Sequence, residues 1–215
     1  GHNALATQDA GANAYNVAIG YTAGVNVTTG ALNTLVGGEA GDSLTTGSRN
    51  VAVGTSALAT EDAHGRNTAI GYAALLTQNA GAEGYNIAVG YEAGGLMTTG
   101  VQNTILGGLA GDALTTGSYN TTLGYGSLSI EDTGSRNTAV GYEALKVQNA
   151  STVDAYNTAV GMWSGKALAT GLYNTLIGSL AGDAITTGDN NIIIGYNAAA
   201  SAVGVDNETV IGTAT

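Results

Sequence analysis

The feature that most limits what this chain can fold into is a short repeat. The motif Asn-x-x-aliphatic-Gly sets asparagines at Asn16, Asn33, Asn50, Asn67, Asn86, Asn103, Asn120, Asn137, Asn157, Asn174 and Asn191. Successive spacings are 17, 17, 17, 19, 17, 17, 17, 20, 17 and 17 residues. A twelfth unit carries Glu208 where the asparagine would stand. The glycine is present in all twelve units, from Gly20 to Gly212, and Ile, Val or Leu always precedes it. A longer period lies over the short one. Every fourth unit is enlarged ("AGAEG" at 80–84, "ASTVDAY" at 150–156), so four units make a block of 70 or 71 residues.

Seventeen residues are too few for a pair of helices, and they suit one coil of a solenoid. The expected fold class is all-β, a parallel β-solenoid (β-roll) of about twelve 17-residue coils. Each coil should hold a strand around "NTAVG", a glycine turn, a second short strand around "YEAL" and a return through "TTGS". Coils spaced about 4.8 Å apart would make a rod of roughly 58 Å. The chain has no proline, so no ladder donor is lost inside the stack. The organisation is one repeat domain over 1–215, with a partial coil at 1–15, four-coil blocks at 16–85 and 86–156, and final coils at 157–215. Because it starts on Gly1 in mid-unit, the chain reads as a fragment of a longer one.

Numbering each unit with Asn at position 2 and Gly at position 6 exposes the core. Position 9 is Ala or Ser until the closing Thr215. Positions 10 and 13 trade size. Gly24, Gly41, Gly94, Gly111, Gly165 and Gly182 accompany an aliphatic residue three positions later, whereas Leu58, Leu75, Leu128 and Leu145 accompany Glu61, Gln78, Glu131 and Gln148. One aliphatic group per coil entering from either arm is what a close-packed core of fixed width requires. Position 5, always aliphatic, is expected to point inward. Position 4 would then point outward, yet it carries Leu35, Ile105, Leu176, Ile193 and Val210. An apolar stripe along a rod implies a lateral partner, so these five are interface candidates and a parallel homotrimer is the expected assembly.

Composition removes several kinds of chemistry. With 16 Asp and Glu against 5 Lys and Arg, the formal charge is -11, and no basic patch exists to release counterions from nucleic acid. No apolar run is long enough to insert in a membrane. His2 and His64 are the only histidines and there is no cysteine, so no zinc set is spaced for binding. "GGEAGD" and "GGLAGD" fall short of a calcium-binding nonapeptide, and the period is 17. "GYGSLS" lacks nucleophile-elbow spacing, and "GGEAG" lacks the Lys and Ser/Thr of a phosphate loop. The once-per-block Asp42, Asp112 and Asp183 would lie roughly 19 Å apart, too far for the paired carboxylates of glycoside hydrolysis. No enzyme activity and no cofactor are expected.

Three columns remain. The asparagines read as a structural ladder at a coil corner, or else as a polar binding stripe. All eleven tyrosines fall at position 1 or position 7. They read as aromatic packing along a seam, or as a sugar-stacking surface with Tyr72, Tyr91, Tyr125 and Tyr142 as the glycan-contact candidates. Arg49, Arg66 and Arg136 at position 1 suggest surface ion pairs with neighbouring acidic coils. Threonine pairs such as Thr45-Thr46 raise ice binding as a minor reading, but Asp62, Asn79, Asp132 and Asn149 interrupt that column.

The pattern "NTAVGYEAL…TTGS.NT.IG..AG" resembles the shaft repeats of bacteriophage tail fibres and related bacterial surface fibres. "NTAVG" and "NTAIG" are also similar to the head repeats of trimeric autotransporter adhesins. "NNIIIGYNAAASAVGVDNETVIGTAT" looks like the end of such a shaft, just before a C-terminal chaperone or autoprotease domain. The resemblance implies an extracellular or virion location and a structural shaft supporting attachment to a host or surface. The partners it implies are further copies of the chain and a cell-surface glycan. A directly glycan-binding adhesin and an end-to-end stacked extracellular filament are the alternatives.

Overall fold

The computed structural model describes residues 1–10, 13–150 and 154–213. Its described residues contain no helix and twelve three-residue strands. These are β1 (Val17–Ile19), β2 (Thr34–Val36), β3 (Val51–Val53), β4 (Thr68–Ile70), β5 (Ile87–Val89), β6 (Thr104–Leu106), β7 (Thr121–Leu123), β8 (Thr138–Val140), β9 (Thr158–Val160), β10 (Thr175–Ile177), β11 (Ile192–Ile194) and β12 (Thr209–Ile211). They form one parallel sheet in chain order, one strand per coil, and position 4 always pairs with position 4. The chain is a parallel β-solenoid. Residues 151–153 of the second enlarged loop, and Thr215, lie outside the described residues.

The second strand expected around "YEAL" does not form. Positions 8 and 10 both take left-handed backbone conformations, as at Glu143 (φ 51) and Leu145 (φ 50), and so does position 1, as at Arg136 (φ 64). An extended strand cannot pass through alternating left-handed residues. The inter-coil bonding nevertheless continues round the corners. Glu39 N–H donates to Tyr21 O at 2.8 Å, Gly41 N–H to Ala57 O at 3.0 Å and Arg49 N–H to Ala31 O at 3.0 Å. Each left-handed non-glycine residue costs roughly 1 kcal/mol, and these repeated bonds offset that cost.

The invariant glycine of position 6 has two causes. Its φ is +140° at Gly37, where L side chains are rarely found. A Cβ there would also run into the carbonyl oxygen of Gly54 in the next coil.

The strand alternates as expected, but its phase is the reverse of the expected one. Position 4 points inward and position 5 outward. Leu35, Ile105, Leu176 and Ile193 have no solvent exposure, and Val210 is partly buried against the same core. These residues are therefore core rather than lateral interface. Their size is set by position 10: a Cβ on Gly41 would stand 2.8 Å from both Leu35 and Leu44, and one on Gly94 would stand 3.0 Å from Ile105. Where position 10 is Leu, position 4 shrinks to Ala52, Ala69, Thr122 or Ala139, all fully buried. Each buried Leu or Ile contributes roughly 1.5–3 kcal/mol. Each coil places one or two large aliphatic groups among positions 4, 10 and 13, two where position 4 is itself large, as at Leu35 with Leu44 and Ile105 with Leu114.

Position 2 shares the inward face with position 4. Asn33 Oδ1 accepts the Asn50 N–H at 2.9 Å, and Asn33 Nδ2 donates to Gly47 O at 2.9 Å. The same pair of bonds recurs at Asn86, Asn103, Asn120, Asn157, Asn174 and Asn191, and at the half-buried Asn16. Asn50 follows it with a longer 3.2 Å bond to His64 O. In the enlarged coils, Asn67 and Asn137 keep the bonds to the next coil, at 3.1 Å each. The ladder is thus mainly side chain to main chain. Direct amide-to-amide bonds occur only beside it, as from Asn191 Nδ2 to Asn174 Oδ1 at 3.0 Å.

Candidate interaction surface

With position 4 inside, the outward sheet face is built from positions 3 and 5. Position 3 is Thr in eight coils and Val or Ile in the others; position 5 is aliphatic in all twelve. Leu123 is 48% exposed in mid-rod, Ile70 37% and Ile177 38%. A strand buried on one face normally alternates apolar with polar. Here the solvent side is half apolar, and the stripe is continuous over twelve rungs in register.

Both tyrosine columns border this stripe, position 1 just before the strand and position 7 just after it. The four glycan-contact candidates are exposed, and they pair among themselves. Tyr72 stacks on Tyr91 at 5.4 Å between centroids, and Tyr125 on Tyr142 at 5.8 Å. At position 1, Arg136 lies between Tyr119 (4.9 Å) and Tyr156 (5.5 Å), and Tyr156 stacks on Tyr173 at 5.5 Å. Arg66 lies over the Tyr85 ring at 5.1 Å and bonds its hydroxyl. In each pair the two rings give one face to each other. An aliphatic strip between rails of Tyr and Arg has the composition of a protein–protein contact.

Two of the three position-1 arginines, Arg66 and Arg136, pair with acids that the enlarged coils supply. Arg136 Nε meets Asp154 Oδ1 at 2.8 Å, and Arg66 Nε meets Glu83 Oε2 at 3.9 Å. Asp154 and Glu83 lie within the inserted segments, so the insertions answer the arginine of the same coil. Of the acidic trio, burial pushes the Asp42 and Asp112 carboxyls above the usual aspartate range.

One cluster was not singled out from the sequence. Glu143 accepts Lys146 Nζ at 2.6 Å, Lys166 Nζ at 3.2 Å and Trp163 Nε1 at 3.0 Å. Lys166 stands 4.5 Å from the Trp163 ring centre, and Tyr142 meets that ring edge-on at 6.3 Å. The Lys146 bond, with help from Lys166, holds the Glu143 carboxyl below the usual glutamate range despite its burial. The signal was present: the only Trp and both Lys of the chain fall within 21 residues. One block earlier the same positions hold Leu76, Glu92 and Gly95, so the backbone does not require the cluster.

Among the described residues no group of three or more His, Cys, Asp or Glu is placed to hold a metal ion, and no helix is long and apolar enough to cross a membrane. No family model matches the chain, and no curated protein and no solved structure matches it.

Proposed function

We propose that the chain is a structural, non-enzymatic shaft segment of an extracellular or virion fibre that supports attachment to a host or surface. In this reading it assembles with copies of itself, as a parallel homotrimer, through the outward sheet face. The observation that carries it is the outward-facing aliphatic residue at position 5 of every coil, exposed at Ile19, Ile70, Leu123, Ile177 and Ile211 and half-buried in the other seven coils of the single chain. Twelve rungs about 4.8 Å apart, each three residues of about 3.3 Å wide, present about 570 Å² before the tyrosine rails are added. With the rails, that approaches the roughly 800 Å² per partner of a standard stable interface. A parallel arrangement lets identical columns face one another along the whole rod.

Sedimentation of the purified chain should give an elongated trimer. Leu123→Asp together with Ile70→Asp should yield a folded monomer with unchanged circular dichroism. A wild-type monomer at micromolar concentration would refute the assembly.

A second reading, a glycan-binding flank, draws support from the Trp163 cluster rather than from the tyrosine columns. Two ammonium groups beside an aromatic ring suit a carboxylate-bearing sugar. A glycan array should then retain acidic saccharides only, with Trp163→Ala abolishing the signal. An array without acidic hits would leave the shaft reading alone.

A further inference from the structure

Position 13 separates two kinds of coil. Six coils fill it with an aliphatic side chain, but the third and seventh carry Glu61 and Glu131, and the coils that follow carry Gln78 and Gln148. All four polar side chains have no solvent exposure. Their hydrogen bonds are incomplete. Glu61 Oε1 accepts the His64 amide at 3.1 Å; Glu131 Oε1 accepts the Gly134 amide at 2.8 Å, and its Oε2 the Ala150 amide at 3.4 Å. Gln78 spends its Nε2 on Gly100 O at 3.2 Å, and Gln148 on Asn137 Oδ1 at 3.2 Å. Glu61 Oε2, Gln78 Oε1 and Gln148 Oε1 have no partner among the described residues.

What these four side chains leave over is all acceptor, while the Nδ2 donors of Asn67 and Asn137 in the enlarged coils also lack a partner among the described residues. In each block a carboxyl and an amide oxygen occupy one column on consecutive rungs, about 4.8 Å apart at the backbone. A buried acceptor without a donor costs about 1–3 kcal/mol. A single proton supplies the donor that the Gln78 or Gln148 oxygen lacks, since a protonated carboxyl gains an O–H donor and keeps acceptor capacity. We propose that Glu61 and Glu131 are buried proton-binding sites, each protonated carboxyl donating its O–H to the side-chain oxygen of Gln78 or Gln148 in the next coil. The order Glu then Gln recurs in both blocks, as a donor–acceptor pair of this kind requires.

The surroundings favour the neutral acid. Around Glu61 the charged or titratable groups are His64, with Nδ1 at 3.6 Å, and Asp62, whose carboxylate takes the Thr45 hydroxyl. Beside Glu131 stands Asp132, bonded to the Thr115 hydroxyl. The position-13 residues of the preceding coils are the uncharged Leu44 and Leu114. Burial raises both glutamates, and the backbone amides that face them, together with the charge of His64 at Glu61, offset this only in part.

A raised folded-state value makes the sign definite. The stabilisation is complete below the unfolded glutamate value and is lost as pH rises through the folded one. The test is a titration of the intact chain with carbon-13-labelled glutamate carboxyls, paired with melting curves across pH. Two carboxyl resonances should titrate above the rest and disappear in Glu61→Gln/Glu131→Gln. That variant should gain in Tm over wild type as pH rises. Glu39→Gln/Glu83→Gln, which removes the same charge from the surface, should track wild type. If every glutamate titrates together near about pH 4.3, the proposal is overturned. A Tm difference between wild type and Glu61→Gln/Glu131→Gln that does not change with pH overturns it equally. The carboxyl titration needs only wild-type protein, so it decides the matter even if the variant does not fold.

Discussion

The two faces of each strand are made of nearly the same residues and have opposite fates. Ile105 is sealed within the solenoid, while Leu106, the next residue, stands at the surface of the same strand. In an ordinary antiparallel sheet one of the two would be polar. What distinguishes them is their third dimension. Position 4 is matched in size to positions 10 and 13 of its own and neighbouring coils, whereas position 5 is matched to nothing in the chain. Apolar character alone therefore does not identify a core position. Complementary variation with another column does.

That contrast can be broken from either side. The largest effect is expected inside: Ile105→Ala should cost about 2–5 kcal/mol, because a rod core one side chain wide has little to collapse into the gap. Leu106→Ala should cost the isolated chain far less, on the order of 0.5 kcal/mol. Urea melts of both variants, run well above and well below the assembly concentration, measure the pair. A Leu106→Ala loss that grows with protein concentration would sharpen the comparison by showing the outer face covered; equal losses at all concentrations would erase it. A smaller effect, of opposite sign, is expected at Thr122. It occupies an inward position 4 and its Oγ1 has no partner among the described residues. Thr122→Val keeps the shape and removes the stranded hydroxyl, so it should stabilise by about 1 kcal/mol in the same melts.

Much of this was legible in the sequence. The 17-residue coil, the parallel stacking of its strands, the asparagine corner and the exchange between Gly41 and Leu58 at position 10 follow from spacing and size alone. The facing of the strand was not, because Ile105 and Leu106 erase the alternation that would have marked it. Two clues were available. Asn103 must turn inward to serve main-chain groups, and Ile105, two residues on, shares its face. Position 4 is also small wherever position 10 is Leu. The missing second strand left a mixed trace: its left-handed position 10 is glycine in six coils, but residues as ordinary as Leu145 at position 10 and Trp163 at position 8 take the same conformation. The surface cluster at Glu143 escaped for a different reason: a reading guided by columns discounts the residues that depart from them.

One consequence of the asparagine column concerns inheritance. Asn120 Oδ1 completes the main chain of the coil after it, at Asn137 N–H, and Nδ2 closes its own corner at Gly134 O. Every coil thus hands the next one the same unfinished bond and receives the same one in turn. Removing or duplicating a whole four-coil block would leave no group unmatched at the new junction. A gene of this design can change the reach of its product by recombination in a single event, without a compensating substitution anywhere else.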